Sequence, residues 1–115
     1  MANAIVILQN DPLRAERLLA MMKLVSPSVR TVQSVAELKK LAARSPIRVG
    51  VLDLDLVTLQ DITGLRRQYG FEIVCTHHAP DDAMWTAALG AGALDCCFVG
   101  DAPGICRAIK LSAAA

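Results

Sequence analysis

Five short runs rich in apolar and β-branched residues recur along this chain: Ala4–Leu8 (AIVIL), Val29–Val32 (VRTV), Val49–Leu54 (VGVLDL), Phe71–Thr76 (FEIVCT) and Leu94–Val99 (LDCCFV). A strand with one wetted face alternates apolar and polar side chains. Continuous apolarity instead marks a strand covered on both faces, as in a parallel sheet. Longer segments of helical period separate the runs, so strand and helix alternate five times. That order predicts an α/β domain of (βα)5 type, an open doubly wound sheet with helices on both faces, because right-handed crossovers alone connect parallel strands well. Five units are too few to close a barrel.

The helical segments carry their own punctuation. Asp11 is expected to cap a helix with Pro12 at its first position, and Leu18, Leu19, Met22 and Val25 supply its apolar stripe. Ser34 and Glu37 form a capping box ahead of Leu38 and Leu41. Asp61 is expected to cap Ile62–Tyr69, with Gly70 as its stop. Asp81 or Asp82 opens a helix that ends at Gly92, and Asp101 with Pro103 opens a last one carrying Ile105 and Ile109. No repeat or linker interrupts this pattern, which makes residues 1–115 a single domain.

Composition narrows the classes of function. Charged residues are 20% of the 115, below the ~25% of ordinary soluble proteins, and 54% are hydrophobic, which excludes a disordered chain. The net charge of +1 leaves no electrostatic footprint for nucleic acid or an anionic membrane, although it hides an asymmetry. Residues 1–50 carry eight basic against three acidic side chains, and residues 51–115 four against eight. No apolar run approaches the ~18–20 residues that cross a bilayer, and Asp11-Pro12 would interrupt a signal peptide. Cys75, Cys96, Cys97 and Cys106 lack CxxC spacing. They suit neither a disulfide framework nor a zinc site, so a cytoplasmic protein with reduced thiols is expected.

In open α/β sheets ligands bind beyond the carboxyl ends of the strands. The residues to weigh there are Gln9, Asn10 and Asp11, then Ser34, Asp53 and Asp55, Thr76 and His77, and Val99 and Gly100. Neither GxGxxG nor GxxxxGK[ST] occurs, and the GAGA of residues 90–93 ends a helix, the wrong end for an anion. No Ser/His/acid or Cys/His nucleophile arrangement follows from the spacing. Asp53, closing the apolar VGVLD, is the most informative position. A carboxylate there can accept a phosphoryl group as an aspartyl phosphate, or it can simply cap the following loop.

With these residues in view, the chain resembles a response-regulator receiver domain, the phosphoacceptor module of bacterial two-component signalling. The likeness covers essentially the whole length. It rests on AIVILQNDPLRAERLL at the start, VGVLDLDL around Asp53, VCTHHAPDD around Thr76 and, most specifically, ALGAGALDCCFV, where helix stop and fifth strand fall in register. The resemblance implies a flavodoxin-like three-layer sandwich with strand order 2-1-3-4-5, Asp53 as phosphoacceptor and Thr76 as the switch hydroxyl.

Several positions depart from that pattern. Gln9 and Asn10 stand where the family has its acid pair, leaving Asp11 beside them. Val99 stands at the lysine position with Gly100 after it in place of proline, and Cys96 at the switch aromatic. Mg2+ favours one or two carboxylates with phosphate and water, a need that two amides and Asp53 meet poorly. Asp11 could join Asp53 as a second metal ligand only if its capping role released it. Each lost charge-assisted contact costs on the order of 1.5–3 kcal/mol. The expectation is therefore an atypical receiver (pseudo-receiver), not an enzyme, with no cofactor and weak or no Mg2+-dependent phosphorylation. Two rivals stay open: a genuine phosphoacceptor charged on Asp53 by a histidine kinase, with Mg2+ on Asp11 and Asp53, and a small-ligand or thiol sensor on the same fold.

Three further groups complete the sequence reading. His77-His78 with the cysteines could suggest metal or redox chemistry, but neighbouring residues of a strand point to opposite faces, and buried thiols with loop histidines are the expectation. Met84 and Trp85, flanked by Arg107 and Lys110, suit a homodimer contact through the face of the fourth helix, fifth strand and fifth helix. Besides a second copy, the partners implied are a histidine kinase and a fused or separate output domain, with no direct nucleic-acid or membrane contact. Finally, Arg14, Arg17, Lys23, Arg30, Lys39, Lys40, Arg44 and Arg48 form either a docking face or a solvated one.

Overall fold

The computed structural model describes residues 4–114. It contains β1 (Ala4–Leu8), α1 (Pro12–Met22), β2 (Val29–Val32), α2 (Val35–Arg44), β3 (Ile47–Asp53), α3 (Leu59–Tyr69), β4 (Glu72–His77), α4 (Asp82–Ala91), β5 (Asp95–Phe98) and α5 (Ala102–Ala114). The five strands form one parallel sheet in the order β2-β1-β3-β4-β5, the flavodoxin-like arrangement.

Strand periodicity divides the interior into two layers. Val6, Leu8, Leu52, Ile73, Cys75 and Cys96 face one side, where they meet Leu38 and Leu41 of α2, Ile62 and Leu65 of α3 and Ala88 of α4. Ile5, Ile7, Val49, Val51, Val74 and Cys97 face the other, against Leu18 and Met22 of α1 and Ile105, Ala108 and Ile109 of α5. The adjacent Cys96 and Cys97 thus enter different layers, as strand geometry requires. Coverage on both faces holds for β1, β3 and β4. It fails for the edge strand β2, where Arg30 and Thr31 are exposed and, among the described residues, no further strand pairs with the outer edge.

The caps follow the expected chemistry with one correction. Asp11 Oδ1 accepts the Leu13 and Arg14 N–H groups, and Asp81, not Asp82, caps α4 by accepting from Met84 N–H at 2.8 Å. The correction is at α3. Thr58 is its cap, donating from its backbone to Asp61 and accepting the Asp61 N–H on its hydroxyl, so Asp61 is the third helical residue of a capping box. Three residues of the helix precede the expected start, because a threonine hydroxyl serves the free N–H groups as well as a carboxylate. Gly70 and Gly92 end α3 and α4 in the left-handed region, at φ of 77° and 117°.

Among the basic residues, Arg48 belongs to neither a docking nor a solvated face. It is half-buried and donates from Nη2 to the Ile109 carbonyl at 3.1 Å, tying β3 to α5.

Candidate functional site

Parallel register gathers the strand ends at one edge of the sheet. Leu8 pairs with Leu52 across β1 and β3, and Asp53 pairs with Thr76 across β3 and β4, so Gln9, Asp53 and Thr76 arrive side by side. All three are buried, at 3%, 2% and 1% exposure. Burial of a carboxylate is tolerable only when its oxygens are served, and here both are. Gln9 Nε2 donates to Asp53 Oδ2 at 2.8 Å, and the Asp55 backbone N–H donates to Asp53 Oδ1 at 2.9 Å.

The direction of the Gln9 amide is set by its other end. Its Oε1 accepts the backbone N–H groups of Asn10 and Asp11, both at 3.1 Å. Reversing the amide would aim an NH2 at two N–H donors and an oxygen at a carboxylate, so only the observed orientation satisfies every partner. Asn10 is exposed, and Asp11 is held by the first turn of α1. Sequence reading placed Gln9 in this pocket; it did not show that the side chain would bond the carboxylate directly.

The hydrogen bonds already made here compete with a divalent cation at Asp53. A cation beside Asp53 needs oxygen lone pairs, whereas the neighbour at Oδ2 is an N–H donor. The single oxygen of Gln9 and Oδ1 of Asp11 are each turned to two backbone N–H groups. Val99, at the expected lysine position, is 9% exposed and packs with Ile5, Ile7 and Leu18 in the α1–α5 layer. A cleft of about 630 Å³ lies beside it, lined by Arg14, Arg17, Met21, His78 and Phe98, but not by Asp53.

Three of the four thiols, Cys75, Cys96 and Cys97, are poor nucleophiles. Burial, with the neighbouring thiols and Asp95 adding to it, pushes Cys75 up to about 12. Burial and then Asp95 push Cys97 up to about 12 as well, and Cys96 is raised for the same reasons. Each is a protonated thiol at neutral pH, and the thiolate is the reactive form.

On the opposite flank Trp85 is 48% exposed, and its indole Nε1–H donates to Asp95 Oδ1 at 3.0 Å. Trp85 borders a groove with Asp95, Cys96, Phe98, Arg107 and Leu111. Met84 points elsewhere, half-buried against the α2–α4 layer. Phe98 and Leu111, 50% and 70% exposed, are the apolar neighbours that Trp85 does have, and Lys110 is exposed nearby in sequence. Sequence reading missed Phe98 and Leu111, since an apolar strand end and an apolar helix residue look like core. The parallel register that sets Asp53 beside Thr76 also brings Asp55 to His77 and His78, a grouping sequence separation hides.

No family model matches the sequence, and no curated protein matches it. Solved structures match its fold over nearly the whole length. A response regulator from Thermotoga maritima superposes with a TM-score of 0.85 at 11% identity, covering 100% of both chains. The signal receiver domain of an HD domain-containing protein from Pseudomonas fluorescens Pf-5 gives 0.85 at 12% identity, covering 99% of this chain and 96% of that one. The signal receiver domain of a DNA-binding response regulator from Colwellia psychrerythraea 34H gives 0.77 at 16%, covering 94% and 98%. The chain has the receiver-domain fold. Within that receiver fold, Asp53 and Thr76 lie at the carboxyl edge of the central strands, and no helix among the described residues is long and apolar enough to cross a membrane.

Proposed function

We propose that this domain is an atypical receiver of two-component-type signalling, acting through protein–protein contacts rather than catalysis, with weak or no Mg2+-dependent phosphorylation of Asp53. The observation that carries the reading is the 2.8 Å hydrogen bond from Gln9 Nε2 to Asp53 Oδ2. A neutral donor there satisfies the carboxylate without a cation, and phosphoryl transfer relies on cations to offset charge on the transferring oxygens. Val99 supplies none. The phosphoacceptor alternative has to hold Mg2+ through Asp11 Oδ2, since Oδ1 is committed to the α1 terminus. The thiol-sensor alternative needs accessible thiolates, and burial disfavours them at Cys75, Cys96 and Cys97.

The test is incubation of the domain with Mg2+ and acetyl phosphate, followed by intact mass measurement. The mass is expected to stay that of the unmodified chain. A stoichiometric phosphate adduct that disappears in Asp53→Asn refutes the reading.

The surface that fits a protein partner lies on α4, β5 and α5, where Trp85, Phe98 and Leu111 are exposed beside Arg107. Trp and Arg are the residue types that anchor interfaces. A second copy of the chain is the occupant proposed, with a histidine kinase or an output domain as heterologous partners. Sedimentation velocity is expected to show dimer growing with concentration, and Trp85→Ala to weaken it by roughly 30-fold, the size of a ~2 kcal/mol anchor. A wild-type chain that stays monomeric at high concentration removes the dimer from the proposal.

A further inference from the structure

Beside the Asp53 pocket, on the outer side of the same loops, three side chains converge with no part in the chemistry above. Asp55 is exposed on the loop after β3, His77 ends β4 with its side chain 13% exposed, and His78 follows it. Asp55 Oδ1 lies 3.3 Å from His77 Nε2, and Asp55 Oδ2 lies 3.3 Å from His78 Nδ1. The two imidazole rings sit 4.1 Å apart between centroids, tilted by 30°. One ligating atom from each residue falls within 4.8 Å of the other two.

We propose that Asp55, His77 and His78 form a binding site for a divalent transition-metal ion, with Zn2+ as the probe ion. Ligands held at about 2.0–2.1 Å around a tetrahedral ion stand roughly 3.3–3.4 Å from one another; each imidazole nitrogen lies at that distance from one Asp55 oxygen, His77 from Oδ1 and His78 from Oδ2, so a turn of the carboxylate lets one oxygen face both. Two imidazoles and one carboxylate also suit Zn2+ or a neighbouring first-row ion better than Mg2+ or Ca2+, which take oxygen ligands. Three protein ligands leave a fourth position for water or a ligand.

Binding requires one adjustment. His77 Nδ1 accepts the Ala79 backbone N–H at 3.0 Å, so the ring carries its proton on Nε2. Coordination through Nε2 moves that proton to Nδ1, and the exposed Ala79 N–H turns to water; no proton is gained or lost overall. The ion would then join the loop after β3 to the end of β4. The proposal is independent of whether Asp53 is ever phosphorylated.

The experiment is calorimetric titration of the full chain with Zn2+ in a thiol-free reductant, repeated on His77→Gln, His78→Gln, Asp55→Asn and the double histidine variant. One ion per chain is expected. Each single change should weaken binding at least about tenfold, since even outer-shell changes cost 10–100-fold, and the double variant should not bind at the same concentrations. Thermal melts without metal check that the variants fold. With Co2+ as probe, visible d–d bands are expected without a near-ultraviolet thiolate band. Unchanged binding in the double variant, a thiolate band, or no 1:1 binding by the wild type overturns the proposal.

Discussion

Gln9→Glu is expected to cost about 3–5 kcal/mol of folding stability in metal-free buffer at pH 7, the scale of an uncompensated buried charge. Wild-type Gln9 presents an N–H to Asp53 Oδ2 at 2.8 Å, with both side chains at most 3% exposed. The substitution replaces that donor by an oxygen and sets two carboxylates against each other. The amide groups of Asn10 and Asp11 keep an oxygen acceptor, so the cost is isolated to the face toward Asp53. Burial and the neighbouring carboxylate raise the introduced glutamate above its ordinary value of about 4.3. A group raised on folding withdraws stability above its unfolded value and none below it, so the penalty should shrink as the pH falls through the raised folded value and be gone below about 4.

Mg2+ should restore part of the loss in this variant alone, because paired carboxylates can share a divalent ion; saturation at 100 times the dissociation constant is worth about 2.7 kcal/mol. Urea unfolding of both proteins, with and without Mg2+ and at two pH values, measures all of this. Equal stability of variant and wild type, or an equal gain from Mg2+, would show that the Gln9–Asp53 contact does not govern the pocket.

Leu52→Ala is expected to lose about 2–5 kcal/mol, the range for truncating a buried leucine. Leu52 is 0% exposed on β3, one residue before Asp53, and packs with Leu8, Val57, Ile62 and Phe71. β3 and its two neighbours are hydrogen-bonded on both edges, so the cavity has little room to collapse. Against the 5–15 kcal/mol of an ordinary domain this is a large share, and the urea midpoint should fall while the slope holds. Leu24→Ala, at a side chain 79% exposed, should change stability by less than about 0.5 kcal/mol. Similar losses at both positions would contradict the layer assignment.

The strand–helix order and most caps were legible because they depend on neighbours in sequence. AIVIL, VGVLDL and FEIVCT announce strands through composition, and Asp11, Ser34 and Gly92 act within a few residues of themselves. The β2 edge was less legible, since a four-residue run does not say whether a further strand covers it. The start of α3 moved to Thr58 because two residues three apart can each serve as cap, and only the realised backbone chooses.

For the site, the sequence alone determined the residue types at each strand end: an amide at position 9, a carboxylate at 53, a hydroxyl at 76 and an apolar side chain at 99. Tertiary structure decided what those groups touch. Gln9 and Asp53 are 44 residues apart, and their bond exists because β1 and β3 run in register. Likewise, Asp55 meets His77 and His78 only because β3 and β4 are parallel neighbours that end together. Chemistry is written residue by residue, but hydrogen bonds form over about 3 Å, and only the folded chain brings distant residues that close.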